Sequence, residues 1–480
     1  MFASKLLEFT LNKISFLYEN ISRISSTQLK ANELLLMPVI KDIVRHINMP
    51  IISHTGNLNT LNRDQNKPSN IDVLESSYQT KYAFLNVPSD VSIHKAVMQR
   101  IKDIQESTLI NTPITLLLIG IGGSNLGTLA VHASIHGPDC VSCPNGNQLL
   151  CIDTVDSDQT TSIINSFEKA INNGNQVHIN IVSKSGKTTE TIAQSALFID
   201  LLKKHFPDTY TQKITITTDH LSPLWHFAQA NNIACLTIPA QVGGRYSVLT
   251  ATGLFPLAFC GIDTEALCTG AQDANKQCTN TDLITNPAAI RSALIYNWYK
   301  ENIHIHDLFI FDRALAPLGQ WYRQLVGESI GKQHDLDGNN IRIGITPTVS
   351  IGSTDLHSMG QLYLGGPRER FTTFLEVTNQ HTTHLIPNIP GLEKLVPNIA
   401  GKSVHQIMNA IILGTQQTYE SENLPFTKIV LEQKDEYTIG SLLQTLMIET
   451  VYLAHLLQVN PFDQPHVELY KQKTRAALDL

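Results

Sequence analysis

Val177–Leu202, VHINIVSKSGKTTETIAQSALFIDLL, is the stretch whose reading decides the fold. Its opening residues Val177, Ile179, Ile181 and Val182 form an apolar, β-branched run of the kind found in a parallel strand buried on both faces. Its close places Ile192, Ala196, Ile199 and Leu202 at steps of three and four, the apolar stripe of a helix. Between them Ser183-Lys184-Ser185-Gly186-Lys187-Thr188-Thr189-Glu190 forms a hydroxyl-rich loop at a helix start. Unpaired N–H groups and a partial positive charge gather there, which suits a phosphate.

Two other readings of that loop compete. In one, serine and threonine only cap the helix, and for an isolated cluster that is the default. In the other, Gly186-Lys187-Thr188 ends a Walker A loop, but the first glycine of that motif would fall at position 181, which is isoleucine. A triphosphate cradle is therefore disfavoured, and a loop for a phosphate monoester is the expectation.

Outward from this stretch the rhythm repeats. Ile114–Ile121 is a continuous apolar run, followed by Gly120-Ile-Gly122-Gly123-Ser124 and a helix from Leu126. Leu149–Asp153, Lys213–Thr218 and Ile233–Ile238 read as further strands. The alternation predicts a doubly wound parallel sheet, in which loops at neighbouring strand ends converge. Gly123–Ser124 and Ser183–Thr188 would then line one pocket. The glycine spacing does not match a dinucleotide fingerprint, although Asp153 stands where a ribose-binding acid would.

The pattern restarts further on with predicted strands Asp307–Asp312, Ile341–Ile345, Phe374–Val377 and Lys428–Leu431, and with a helix near Leu318–Ile330. The expected organisation is a helical lead-in over 1–81, a first α/β domain over 82–262, a polar linking region over 261–286, a second α/β domain over 287–435, and a C-terminal helix and tail over 436–480. The helix Ile439–Leu457 is expected to break at Asn460-Pro461 into a polar tail.

Composition bounds the function. At 480 residues, with 42% hydrophobic and 16% charged side chains, the chain has the make-up of an ordinary globular protein of more than one domain. A net charge of −7 argues against a nucleic-acid surface. Lys5, Glu8, Lys13 and Glu19 break up the N-terminal apolar residues, and no uncharged run long enough for a leader or a membrane span is expected there or later. Seven cysteines, mostly inside apolar segments, fit reduced residues of a cytoplasmic protein. Cys140-Val-Ser-Cys143 lacks a second pair and reads as a loop coincidence. His304-Ile-His306 and His381-Thr-Thr-His384 lack partners at ligand spacing, so no metal is expected.

Three further motifs carry chemistry. Gln241-Val-Gly-Gly-Arg245-Tyr-Ser247 brings a permanently charged guanidinium to a sharp glycine turn. Gln324 and Glu328 share a helix face, although Glu328 is equally placed to pair with Lys332 at i,i+4. Ser353-Thr-Asp355-Leu-His357-Ser358 offers a histidine in a polar loop, and Asn460-Pro-Phe-Asp463-Gln464-Pro-His466-Val-Glu468-Leu-Tyr-Lys471 would ordinarily be a solvated end.

Taken in order, GIGGSNLG, SKSGKTTET, VGGRYSVLTATG, QLVGESIGK, STDLHSMGQ and NPFDQPHVELYK resemble the glucose-6-phosphate isomerase family, shorter bacterial form, from about Ile114 to Lys471. That resemblance implies two sugar-isomerase (SIS) domains, each a doubly wound parallel sheet, with the tail packing back on the site. It implies a homodimer with a composite active site, no cofactor, no nucleic-acid or membrane partner, and reversible aldose–ketose isomerisation of glucose 6-phosphate and fructose 6-phosphate. Ser124, Ser183, Ser185 and Thr188 resemble the phosphate-holding residues, with Gly123 and Lys184 nearby. Glu328 matches the base between C1 and C2, and Arg245 the residue that stabilises the cis-enediolate. His357 and Lys471 match the ring-opening pair, and Gln324 and Gln464 the pocket-lining glutamines. The sequence departs from the family at Leu356, where many members carry glutamine, at His466, where a small residue is usual, and at Lys187, commonly threonine.

The chemistry is coherent. A hydrogen alpha to a carbonyl is weakly acidic, so its removal needs a placed carboxylate and a cation at the developing oxyanion. The proton returns one carbon away, so no redox cofactor is called for. Two alternatives remain: an isomerase of another sugar phosphate, such as mannose 6-phosphate, and a SIS-type regulator that binds a sugar phosphate without turning it over. A glucosamine 6-phosphate synthase half is set aside because the first cysteine, Cys140, comes too late for an N-terminal glutaminase. The regulator needs only the phosphate loops, whereas Glu328, His357 and Lys471 together favour the enzyme.

Overall fold

The computed structural model describes residues 7–11, 13–18, 26–47, 81–107, 112–138, 143–380 and 382–478. A hairpin comes first, β1 (Leu7–Leu11) and β2 (Ile14–Tyr18), followed by the helix Ser26–Ile47. The expected helical lead-in is therefore corrected at its start. Ile14 and Phe16 point inward and are buried, and β2 runs antiparallel to the last strand of the second sheet. Alternating Ile-Ser-Phe-Leu suits a half-buried strand, and its pairing partner lies near the other end of the chain. The Asn/Asp/Pro-rich segment 56–70 lies outside the described residues.

The first sheet contains β3 (Ile114–Ile119), β4 (Gln148–Ile152), β5 (Gln176–Val182), β6 (Ile214–Asp219) and β7 (Ala234–Ile238). All are parallel, in the order β4-β3-β5-β6-β7. Its central strands β3 and β5 are buried almost throughout, including the polar Thr115, His178 and Asn180. Numbered within the domain this is 2-1-3-4-5, so the winding reverses between β3 and β5. That is where such a sheet opens a ligand crevice.

The second sheet repeats the scheme with β8 (Ile305–Ile310), β11 (Thr346–Ile351), β12 (Arg370–Val377) and β13 (Phe426–Leu431). The order β11-β8-β12-β13 is again 2-1-3-4, and the β2-β1 hairpin occupies the fifth position. Between β8 and β11 the two short strands β9 (Lys332–His334) and β10 (Asn340–Ile343) pair, among the described residues, only with each other. The strand expected over Ile341–Ile345 is thus largely this half-exposed ribbon. The true sheet strand, β11, carries Pro347, which the sheet tolerates because β11 is at its edge.

The region expected to link the domains is also corrected. Thr264–Cys278 is a helix capped by Asp263, and it buries Leu267, Ala271, Ala274 and Cys278. It packs on the helix Glu436–Leu456, backbone against backbone. A Cβ on Gly270 would come within 1.9 Å of the Tyr437 carbonyl oxygen, and one on Gly440 within 1.9 Å of the Leu267 oxygen. Glycines, not large apolar residues, make the contact, which is why hydrophobic patterning underrates it. Glu436–Leu456 is, among the described residues, one helix long and apolar enough to cross a membrane. It is not an uncharged run, since Glu449 interrupts it, and it is almost wholly buried inside the protein. The final segment, expected as a polar tail, is the exposed helix Pro465–Leu478.

Candidate active site

The loop after β3 and the loop after β5 meet at the crevice. A Cβ on Gly120 would lie 3.2 Å from the Val182 carbonyl oxygen and 2.9 Å from Ser124 Cβ. Gly123 faces the turn Gly244–Tyr246 so closely that a Cβ there would stand 2.3 Å from the Gly244 carbonyl carbon. Ser247 Oγ donates to the Gly123 and Gly244 carbonyls at 3.3 and 2.8 Å, closing the same junction. Gly123, Ser124 and Arg245 are thereby drawn together from three parts of the sequence.

The bland capping reading of the Ser/Thr loop meets a specific observation. Ser222, Thr250, Asn286 and Ser403 each cap the helix they precede. Thr188, at the N-cap of Thr189–His205, makes no such bond. Its hydroxyl instead hydrogen-bonds Ser183 Oγ at 2.9 Å. Ser185 is exposed and accepts from the Lys187 N–H at 3.3 Å. Lys184 Nζ donates to the Ala240 carbonyl at 2.5 Å, and burial lowers its pKa. Asn125, at the N-cap of Leu126–His136, also leaves its helix uncapped. Its amide donates to Asp153 at 3.1 Å, so that carboxylate is already engaged. Two helices thus present N-termini without side-chain caps at neighbouring strand ends, an arrangement suited to an anion.

Arg245 is the hub of the second half of the site. Its side chain is 2% exposed, against 33% for Glu328, to which Nη1 donates at 3.1 Å. Nη1 also donates to Gln464 Oε1 at 2.8 Å, and Nε to Ser329 Oγ at 2.8 Å. Nη2 reaches the carbonyls of Pro461 at 2.5 Å and Asp463 at 3.2 Å. A planar guanidinium with five donors can satisfy this set at once; a lysine cannot.

Glu328 and Gln324 come from the helix Ala316–Ile330, which packs on both β11 and Leu126–His136 and so spans the two sheets. Gln324 Nε2 donates to Glu328 Oε1 at 3.0 Å and sits over Gly122, 3.0 Å from where a Cβ would be. The expected ion pair of Glu328 with Lys332 does not form. Lys332 Nζ donates to the Glu328 backbone carbonyl at 3.0 Å and to the Asp463 carboxylate at 2.8 Å. Burial lowers its pKa, with Asp463 opposing.

Among the described residues, neither of the remaining two expected site residues is hydrogen-bonded to this cluster. His357 lies exposed on the short helix Thr354–Ser358. Lys471 Nζ is bonded to Glu468 at 2.7 Å on the exposed face of the last helix. Of the departures, His466 is hydrogen-bonded to Gln333 at 2.7 Å, Leu356 packs beside the Phe309 and Phe374 cluster, and Lys187 is exposed.

Several contributors were missed from sequence. Ser329 also bonds Tyr246 OH at 3.0 Å, Trp321 Nε1 donates to the Arg245 carbonyl at 3.3 Å, and Phe462 packs edge-on or tilted among Tyr82, Phe84 and Tyr246, with ring centroids 5.7–6.4 Å apart. Phe462 anchors the tail so that the Pro461 and Asp463 carbonyls face Arg245. Adjacency to Glu328 and to the NPFDQPH motif were the available signals.

Comparison with known proteins bears on this geometry. A family model described as phosphoglucose isomerase matches residues 94–479. A glucose-6-phosphate isomerase of Thermus thermophilus is 32% identical over 363 residues, covering 75% of this chain and 83% of that protein. A solved Thermus thermophilus structure described as a hypothetical protein superposes with a TM-score of 0.76 at 26% identity, over 94% of this chain and 98% of its own. A glucose-6-phosphate isomerase structure from Chlamydia trachomatis gives 0.77 at 18% identity over 99% and 92%, a likeness of fold.

Proposed function

Since this chain belongs to the phosphoglucose isomerase family, we propose that it interconverts glucose 6-phosphate and fructose 6-phosphate through a cis-enediolate. The observation that carries the reading is the pairing of a partly exposed carboxylate, Glu328, with a buried, many-bonded guanidinium, Arg245. A base must be reachable by the substrate, and a cation that stabilises an oxyanion works best when it is already fixed. Glu328 takes the proton at C2 or C1 and returns it to the other carbon. Arg245 steadies the negative oxygen formed between those steps, and Gln324 and Gln464 orient the two charged groups. Ser124, Ser183, Ser185 and Thr188, with Gly123 and Lys184, receive the phosphate.

His357 and Lys471 serve ring opening in this reading. The exposure of His357 supports its delivery to the site of a second copy, hence a homodimer with composite sites. Lys471 would leave Glu468 to act. The six described cysteines are free of disulfides, in keeping with the cytoplasm. The test is purified protein with fructose 6-phosphate, EDTA added as the reaction starts, and glucose 6-phosphate detected by coupling. Turnover is expected; tight binding without turnover would favour a sugar-phosphate sensor, and turnover of mannose 6-phosphate alone another isomerase.

A further inference from the structure

The helix Leu126–His136 begins at the Ser124 turn, and its other end carries a second cluster. His132 and His136, four residues apart, share one helix face, and their ring centroids are 5.0 Å apart. Cys143 opens the turn before β4, and Cys260 is the C-cap residue of the helix Ala251–Phe259. The ligating atoms of His132, Cys143 and Cys260 all lie within 4.8 Å of one another, and the three residues are buried.

The backbone holds these groups together. Cys143 N–H donates to the Asn147 carbonyl at 2.7 Å. The Asn145 and Asn147 amides both donate to the Phe259 carbonyl, at 3.0 and 2.9 Å. The turn bearing Cys143 is thus clamped to the helix end bearing Cys260. Cys143 Sγ is 3.6 Å from His132 Nε2. Tetrahedral zinc with Zn–S of about 2.3 Å and Zn–N of about 2.0 Å places its sulfur and nitrogen ligands about 3.5 Å apart. A thiol–imidazole hydrogen bond would account for that distance too, but not for His136. That ring bonds the backbone of Cys260, while its Nε2 is buried with no hydrogen-bond partner among the described residues. A backbone carbonyl on one ring nitrogen, leaving a lone pair on the other, is how metal-binding histidines are commonly oriented.

We propose that His132, His136, Cys143 and Cys260 form a binding site for a soft divalent cation, zinc by its ligand chemistry, that fastens two helix C-termini to the turn ahead of β4. Two thiolates and two imidazoles are a common structural zinc set. The C-terminal ends of the two helix dipoles add negative potential. The two helices run from the Ser124 turn and from just beyond Arg245, so the cation would brace both sides of the candidate active site from behind. Cys143 is recruited here by residues distant in sequence, and its CxxC neighbour Cys140 lies outside the described residues. The proposal does not rest on the isomerase reading.

The test uses the full chain purified without chelator. Zinc is measured by plasma mass spectrometry, and Co²⁺ is then exchanged in as a spectroscopic probe. About one metal per chain is expected, together with intense tetrahedral d–d bands and a thiolate-to-cobalt charge-transfer band. Both signals should persist in Cys140→Ser. His136→Gln, at the least buried of the four positions, should weaken zinc affinity by about 10–100-fold or more, since even outer-shell changes have that effect. Wild-type protein that carries no zinc and gives no charge-transfer band with Co²⁺ would overturn the proposal, as would a Cys143–Cys260 disulfide in peptide mapping. Loss of the band in Cys140→Ser, or unchanged affinity in His136→Gln, would overturn the assigned ligand set. Cys143→Ser is a further arm, and its failure to fold would leave the wild-type spectrum as the deciding measurement.

Discussion

Replacing Glu328 with glutamine separates a structural role from a catalytic one. The carboxylate accepts from Arg245 at 3.1 Å and from Gln324 at 3.0 Å, and it is one-third exposed. The amide keeps the shape and one acceptor oxygen. Arg245 would retain Ser329, Gln464 and two backbone carbonyls, so it stays hydrogen-bonded and loses only its ionic partner. A pair screened by solvent on one side contributes at most about 1 kcal/mol, and a stability loss of that order is expected. The effect on turnover is of another size. An amide cannot take a proton from carbon, and general base catalysis contributes about 10²–10⁴-fold, or roughly 3–5 kcal/mol in the barrier. Such a loss cannot arise from a small rise in unfolded protein. Binding should survive, so fructose 6-phosphate at about 100 times Kd should still stabilise the variant by roughly 2.7 kcal/mol. Thermal shift with ligand, coupled initial rates and solvent exchange of the C1 and C2 protons measure the three quantities. A near-normal kcat would sink the assignment. So would a loss of several kcal/mol in stability that accounted for the whole drop in rate.

Three further outcomes are expected. Ser185→Ala with Thr188→Ala should raise KM strongly, because a hydrogen bond to a charged phosphate contributes about 1.5–3 kcal/mol; unchanged KM in steady-state assays removes both from the site. Refolding an inactive His357→Ala chain with an inactive Glu328→Gln chain should restore part of the activity, and no recovery in a verified mixed dimer would mean that each site is built from one chain. Burial pulls the pKa of His455 down to about 4, and Tyr82 OH lies 3.3 Å from its Nε2. The folded state then refuses a proton that the unfolded state accepts, so its contribution is full above pH 6.5 and lost as pH falls towards 4. Between about pH 7 and about pH 5 the loss should be about 2 kcal/mol. His455→Gln should flatten that part of the denaturation profile, and an unaltered slope would contradict the assignment.

How much of this was legible beforehand follows from what each feature is made of. The Val177–Leu202 stretch announced its strand, loop and helix because the periodicity changes twice within it and each change is written in side-chain type. The meeting of Gly123 with Arg245 was only partly visible. The glycines were there, but their partner is a backbone carbonyl 2.3 Å from a missing Cβ, and a carbonyl has no residue signature. The same holds for Pro461 and Asp463, which hold Arg245 through main-chain oxygens. The N-terminal hairpin and the helix Thr264–Cys278 eluded local reading for a related reason. One depends on an edge at the far end of the chain, the other on glycines that let two backbones touch.

Lys332 shows the limit of spacing rules in one residue. Glu328 and Lys332 are four apart, which on a continuous helix would set their charged ends side by side. The helix ends at Ile330, and Gly331 is already extended at φ −70° and ψ 100°. Lys332 therefore opens β9 instead of continuing the turn. Its ammonium swings to the Glu328 carbonyl and to Asp463, tying the helix end to the same tail that holds Arg245. The carboxylate of Glu328 is left to Arg245 and Gln324. A helix two residues longer would bring Lys332 onto that carboxylate; the stop at Gly331 keeps the ammonium on the main chain and leaves one-third of the Glu328 side chain open to an incoming substrate.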